Sequence, residues 1–219
     1  MSKSRRSFAI IGLGTFGSTV AAELVRFGNH VLGIDMDEKR VSLLASTLSE
    51  VVIADGTDEI AMREAGIGHY DVVLVAMGED LEASILCTMN ARALGAKTIW
   101  VKSLSRTHHR ILSKLGADRI VHPEQEMGQQ IAQTLHNPLV FDYAAVGNSQ
   151  YMASIIVPTH LKGQSLKSLN LQEKFELRCL GLMRGTSYTE CTAEVILQTD
   201  DKLLLLGKRT ALRQFSDSL

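Results

Sequence analysis

A doubly wound parallel α/β sheet followed by a small α+β domain is what this sequence predicts, and three observations carry the prediction. Up to about residue 136, short β-branched runs alternate with longer segments of helical period, as when strands and helices take turns along one sheet. Gly28, Gly66, Gly95 and Gly116 each fall just past a helical segment, where glycine supplies a left-handed cap without steric penalty. After Pro138 the rhythm changes to short strands with brief helices between them.

The elements follow in order. Strands are expected at Phe8–Ile11, Val31–Ile34, Val51–Ala54, Val72–Ala76, Thr98–Val101 and Arg119–Val121. Helices are expected at Gly17–Phe27, Asp37–Leu48, Glu59–Ala65, Asp80–Leu94, Arg106–Leu115 and Glu124–Leu135. Together they make six β–α units in a domain spanning 1–137. In the second domain, 138–219, Met152–Val157, Arg178–Met183 and Ala193–Leu197 read as strands, Leu203–Leu206 as a buried apolar run and Ser165–Phe175 as a short helix. Gln198–Lys202 reads as a turn between two paired strands, and Thr210–Phe215 as a closing helix.

Composition excludes several classes of protein. The 219 residues are 45% hydrophobic, enough for one large or two small cores and too much for a disordered chain. The longest apolar run, Val72–Met77, is far short of the roughly 18–20 residues that cross a bilayer, so no direct membrane insertion is expected. Lys3, Arg5 and Arg6 before Phe8–Leu13 imitate the start of an export signal, but glycines interrupt the patch and no small-residue cleavage site follows. Basic and acidic residues number 14 and 16 through Asn137 and 9 and 8 beyond it, so neither part carries a nucleic-acid footprint. Cys87, Cys179 and Cys191 are an odd set without C-x-x-C spacing, which argues against a disulfide framework or a zinc site and for a reducing cytosol.

Gly12-Leu-Gly14-Thr15-Phe16-Gly17 matches G-x-G-x-x-G, directly after a strand and opening a helix, which makes the first domain Rossmann-like. Gly12 permits the tight turn, Gly14 lets the backbone approach a phosphate, and Gly17 lets helix and strand pack closely. The helix start offers unpaired amides and a partial positive charge to an anion. Asp35 closes the second strand 18 residues beyond Gly17, near the spacing at which an acid accepts hydrogen bonds from an adenosine ribose. Asp35 could instead cap the next helix, but Asp37 can do that, and a carboxylate at 35 repels a 2′-phosphate and so disfavours NADP. Asp55-Gly56-Thr57 follows the third strand and Met77-Gly-Glu79-Asp80 the fourth, whose last residue is Ala76, at the carboxyl edge where open α/β sheets bind ligands. Asp55 either polarises that site or shapes a turn, and Lys102 either reaches a phosphate or is a solvated lysine.

Catalytic chemistry finds no support. His160 is the only histidine beyond Pro138, and H-E-x-x-H, G-x-S-x-G and Cys/His signatures are absent. His108 and His109 read as a surface pair, since metal-binding histidines on a helix need i, i+4 spacing to share a face. Cys87 and Met89 read as the buried face of their helix.

Four segments carry a family resemblance: Arg5–Gly17, Asp35-Met36-Asp37-Glu38, Ala117-Asp-Arg-Ile-Val-His-Pro-Glu124 and Asp201-Lys-Leu-Leu-Leu-Leu-Gly207. Together they resemble the regulator-of-potassium-conductance (RCK) family, of the KtrA and TrkA type, along nearly the whole chain. The resemblance implies a non-enzymatic cytosolic ring of eight subunits, peripheral at the inner face of the membrane. Its partner would be a potassium-translocating integral membrane subunit of the KtrB or TrkH type, gated according to the bound nucleotide. It also implies ATP or ADP on Gly12, Gly14, Thr15, Phe16, Gly17, Asp35, Met36 and Asp37, with Lys102 near the phosphates. Relatives often carry arginine where this chain has Thr15, so phosphate affinity or ATP/ADP discrimination is expected to differ. Glu124 matches a position associated with a divalent cation such as Mg at a subunit interface, although His122-Pro123 before an acid is also a plain helix start. The alternative reading is a small NAD-dependent oxidoreductase or NAD(H) sensor using the same loop.

Overall fold

The computed structural model describes residues 5–78 and 80–219, so Lys3 and Glu79 of the sequence reading lie outside the described residues. The chain divides into two compact units, 1–123 and 124–219. The expected boundary at 137/138 lies one helix later, at the end of a helix none of whose side chains is buried.

In the first unit β1 (Ser7–Ile11), β2 (His30–Asp35), β3 (Glu50–Ile53), β4 (Val72–Val75), β5 (Ile99–Lys102) and β6 (Arg119–Val121) form one parallel sheet. The strand order is β3-β2-β1-β4-β5-β6, so the winding reverses between β1 and β4. Between the strands run α1 (Thr15–Arg26), α2 (Glu38–Leu44), α3 (Glu59–Glu64), α4 (Leu81–Ala93) and α5 (Arg106–Lys114). Period-two alternation divides each strand between two cores. Ala9 and Ile11 of β1 pack with Met62, Cys87, Ala91 and Leu112 from α3, α4 and α5, whereas Ile10 packs with Ala21 of α1 and Val41 of α2. The four expected glycine caps all adopt positive φ: Gly28 (84°), Gly66 (69°), Gly95 (84°) and Gly116 (82°).

Two helix-face expectations are corrected. Cys87 is buried, but Met89 is 47% exposed, because two residues along a helix turn the side chain to the other face. His108 and His109 part for the same reason: His108 is fully buried and only His109 faces solvent.

The second unit begins with α6 (Pro123–His136), of which Glu124 onward belongs to it. β7 (Val140–Gly147), β8 (Gln150–Ile156), α7 (Leu171–Phe175), β9 (Arg178–Arg184), β10 (Ser187–Thr189), β11 (Lys202–Lys208) and α8 (Arg209–Asp217) follow. The sheet is antiparallel in the order β10-β9-β11-β8-β7 and packs over Leu171, Leu212 and Phe215. Ala193–Leu197 is not a strand of this sheet, because β8 and β9 already occupy both edges of β11. It makes an isolated bridge, Ser165 to Ile196, so Gln198–Lys202 does not join two paired strands. The helix expected over Ser165–Phe175 is broken at Asn170 (φ 47°) into a 3-10 turn and α7. Cys179 and Cys191 are joined as a disulfide, contrary to the reading from cysteine count, because β9 and the segment before β11 bring their Cα atoms to 6.1 Å.

Asp201 and Gly207 each have a visible task. Asp201, 1% exposed, accepts from Arg184 Nε at 2.9 Å, Arg184 Nη2 at 2.8 Å and the Gln198 amide at 2.8 Å. A Cβ at Gly207 would collide with Leu177. Burial alone would raise the Asp201 carboxyl, yet the Arg184 hydrogen bonds, the Gln198 amide and the Arg184 charge hold it below its ordinary 3.8. The charged form therefore stabilises the fold above that ordinary value, and the contribution is lost as pH falls through the lower folded value. Asp201→Asn is expected to lower urea-unfolding stability at pH 7 by roughly 1–3 kcal/mol. The stability difference between wild type and variant should shrink on acidification below pH ~4; equal stability at pH 7 would remove the assigned role.

Candidate functional site

The carboxyl edge of the parallel sheet gathers the loops after β1, β2, β3, β4 and β5. α2, α3, α4 and α5 have their first amides capped by Asp37, Asp58, Asp80 and Ser105, respectively. α1 differs: its cap is Gly14, with no side chain to close its amides.

Gly12 and Gly17 are required by the fold for separate reasons, and Gly14 is not. Gly12 has φ +97°, and a Cβ there would lie 3.2 Å from the Ala76 carbonyl carbon and 3.3 Å from the Met77 nitrogen. A Cβ on Gly17 would run into the Gly12 carbonyl oxygen, so α1 can pack against β1 only with hydrogen at this position. At Gly14 nothing lies within 4 Å of such an atom and φ is an ordinary −64°. The protein itself does not demand glycine at 14; an anion approaching the α1 amides would.

Asp35, 7% exposed, already serves the loop. Its Oδ2 accepts from the Leu13 amide at 2.7 Å and its Oδ1 from the Asp37 amide at 2.9 Å. The carboxylate at the end of β2 thus fixes the glycine turn after β1, and its remaining lone pairs are those a ribose hydroxyl would meet. Asp37 caps α2 through Lys39 N at 2.8 Å, the division of labour expected for the two acids. Arg40 bridges them, with Nη1 3.4 Å from Asp35 Oδ2 and Nε 3.7 Å from Asp37 Oδ2. Met36 is 68% exposed beside them.

Asp55 shapes its turn by accepting from Thr57 N at 2.9 Å and Thr57 Oγ1 at 2.7 Å. Gly56 is obligatory, since a Cβ would lie 2.6 Å from Ile11 and 2.8 Å from Cys87 Sγ. Asn90 of α4 holds this turn by donating to the Thr57 carbonyl at 2.9 Å and the Gly56 carbonyl at 3.3 Å. Met77 meets Cys87 at 3.3 Å between sulfurs. Burial, followed by the Asp55 charge, pushes the Cys87 thiol up to about 12, so it is packing material and not a nucleophile.

Lys102 is 7% exposed, which removes its reading as a solvated lysine. Its Nζ lies 5.8 Å from the Phe16 ring centroid and 2.8 Å from where a Gly78 Cβ would stand, so the ammonium lies over the glycine loop. Thr15 is exposed at the first turn of α1. Glu124 is exposed on α6 in the other unit, and the described residues contain no group of three His, Cys, Asp or Glu able to hold a metal ion.

Sequence reasoning missed Arg40 and Asn90, and took Gly78 only as part of the segment after the fourth strand. Arg40, five residues beyond Asp35 and in the first turn of α2, carries a readable signal; Asn90 does not, since nothing local marks a mid-helix asparagine as the clamp for a distant turn.

The TrkA-N domain family matches residues 8–123 and the TrkA-C domain family residues 152–219. The chain is 36% identical over 213 residues to the Ktr system potassium uptake protein C of Bacillus subtilis (strain 168), covering 96% of each. It is 34% identical over 220 residues to the Ktr system potassium uptake protein A of Vibrio alginolyticus, covering all of both. Among solved structures, the GsuK channel bound to NAD matches 97% of this chain at a TM-score of 0.67 and 16% identity, which is a likeness of fold. This chain spans 39% of that one. With both domain families in order and full-length relatives at this identity, the chain belongs to the TrkA-N/TrkA-C family of Ktr potassium uptake proteins.

Proposed function

We propose that this chain is a non-enzymatic regulatory subunit that binds ATP or ADP at the glycine loop. In this reading it gates a potassium-translocating membrane protein from the cytoplasmic side. The observation that carries the reading is Gly14: space kept open at the uncapped start of α1, with the buried Lys102 ammonium over the same loop. An anion is the ligand that such a place suits. Asp35 beside the loop suits an unmodified ribose, and the full-length relatives named for potassium uptake supply the transport context.

Gly12, Gly14, Thr15, Phe16 and Gly17 take the phosphates in this proposal, with Asp35, Met36 and Asp37 beside the ribose and adenine. Asp55, Gly56, Thr57, Ala76 and Met77 form the floor. NAD(H) fits the same loop and is the second reading. Titration calorimetry with ATP, ADP and NADH, monitoring NADH absorbance throughout, separates them. ATP and ADP binding without NADH consumption supports the proposal, and preferential NADH binding overturns it. Glu124 offers a hard oxygen donor suited to a divalent cation such as Mg, but the described residues of one chain do not complete a site, so its other ligands would come from a second subunit.

No helix among the described residues is long and apolar enough to cross a membrane. In this reading the chain meets the membrane partner as an assembly, a ring of eight. Met127, Ile131 and Leu135 recur every fourth residue on α6 and are 52%, 49% and 79% exposed, an apolar stripe that a second copy would cover. Light scattering is expected to give a multiple of the 24.0 kDa chain mass, and Ile131→Asp with Leu135→Asp to shift it toward the monomer. A wild-type monomer at micromolar concentration would remove the ring.

A further inference from the structure

His109 and His122 come from different elements and meet outside the nucleotide loop. His109 Nδ1 lies 2.9 Å from His122 Nε2, with the two rings 13° from coplanar and their centroids 5.1 Å apart. Those distances together describe two imidazoles meeting edge to edge, nitrogen to nitrogen. Two lone pairs pointed at one another repel unless something positive lies between them. In the metal-free pair that is one shared proton.

We propose that His109 Nδ1 and His122 Nε2 form a two-imidazole site for a borderline divalent transition cation of the Ni2+ and Zn2+ class. Imidazole nitrogen suits these ions, whereas Mg2+ and Ca2+ prefer oxygen. Zinc–nitrogen bonds of about 2.0–2.1 Å in a tetrahedral shell would place the two nitrogens about 3.3 Å apart with the ion off the line between them, so the pair needs to open by a few tenths of an ångström and each ring to turn by roughly 35° to aim its lone pair at the ion. His109 is exposed and His122 half-buried, so rotation of the two side chains can supply that.

The backbones behind the pair are fixed. The His109 amide donates to the Ser105 carbonyl at 2.9 Å in the first turn of α5, and the neighbouring His108 is locked in the core. His122 directly follows β6, whose Val121 carbonyl accepts from Ser103 N at 2.9 Å, and precedes Pro123, whose ring fixes the chain direction. Among the described residues no third His, Cys, Asp or Glu completes the cluster, so water fills the other coordination positions and the ion exchanges readily. A bound ion would tie α5 to the segment that leaves the last parallel strand.

The test is calorimetric titration of tag-free full-length protein with NiCl2 in the absence of nucleotide. One Ni2+ per chain is expected, with affinity falling at least tenfold in both His109→Gln and His122→Gln and staying unchanged in His160→Gln, an exposed histidine of the other unit. Millimolar Mg2+ should not compete. Glutamine keeps a polar side chain of similar reach, and circular dichroism checks that the variants fold. Absence of Ni2+ binding in the wild type, or undiminished binding in the His109 and His122 variants, overturns the site. Loss in His160→Gln with those two variants intact assigns the ion to His160 and overturns it equally. Since neither nucleotide nor membrane partner enters the experiment, its outcome is independent of the proposed gating function.

Discussion

Gly14→Asp is expected to abolish adenine-nucleotide binding while leaving the fold and its stability intact. The separation is possible because a side chain at this position meets no protein atom within 4 Å and φ is already in the range of any L-residue. Aspartate is also a favoured N-cap, so the α1 amides now left without a side-chain partner would gain one, and the helix should if anything be firmer. The same carboxylate would occupy the space at the start of α1 that the proposed phosphate needs to reach those amides. Two unit charges 4 Å apart at an effective dielectric of about 20 repel by about 4 kcal/mol, close to three decades in affinity, before steric exclusion is counted. Gly14→Ala adds bulk without charge and should fall between the two. Gly17→Ala is the contrast: its Cβ strikes the Gly12 carbonyl oxygen, so it is expected to cost stability together with binding. Calorimetry with ATP and ADP, beside thermal unfolding, reads both quantities. Full ATP affinity in a folded Gly14→Asp protein would end the assignment of the loop.

The residues differ in how much of their role the sequence discloses. Gly12 and Gly17 are legible because a steric requirement at a fixed spacing leaves a fixed residue type, whereas Gly14, free of such a requirement, is legible only from its place in the motif. Asp35 is legible as an acid at the end of β2, but its bond to the Leu13 amide is not, since it depends on β1 and β2 being neighbours in the sheet. Lys102 has two readings in the sequence, and its burial over Phe16 removes the solvated one. In the second unit β7 escapes the pattern because register irregularities after Val140 and Ala145 break its period of two, and it is an edge strand with most side chains exposed. Ala193–Leu197 errs the other way: its apolar alternation is genuine, Leu197 being fully buried, but a strand also needs a free sheet edge, and local sequence carries no record of which edges are taken. The His109–His122 meeting is invisible for a similar reason, because adjacency of His108 and His109 directs attention along the helix while the partner waits at the end of β6.

Cation flux through the membrane partner is expected to differ between the ATP and ADP forms of this protein by roughly 5–150-fold, the range of an allosteric coupling of about 1–3 kcal/mol. A ligand shifts a conformational equilibrium only by its differential affinity for the two states, and ATP differs from ADP by one phosphoryl group. That group adds negative charge at the start of α1, within the field of the helix and of the Lys102 ammonium above Phe16. Lys102, buried beside Phe16, is the cation proposed to sense it. Lys102→Met should therefore bring the ATP and ADP fluxes toward one another more than it weakens ADP binding. Binding energy alone drives the switch, so a non-hydrolysable ATP analogue should act as ATP does. Proteoliposomes holding the partner and this protein, compared at equal occupancy by ATP, ADP and the analogue, give the measurement. Equal flux in all three states would eliminate the nucleotide switch, and activation by ATP but not by the analogue would make hydrolysis part of the mechanism and the protein an ATPase.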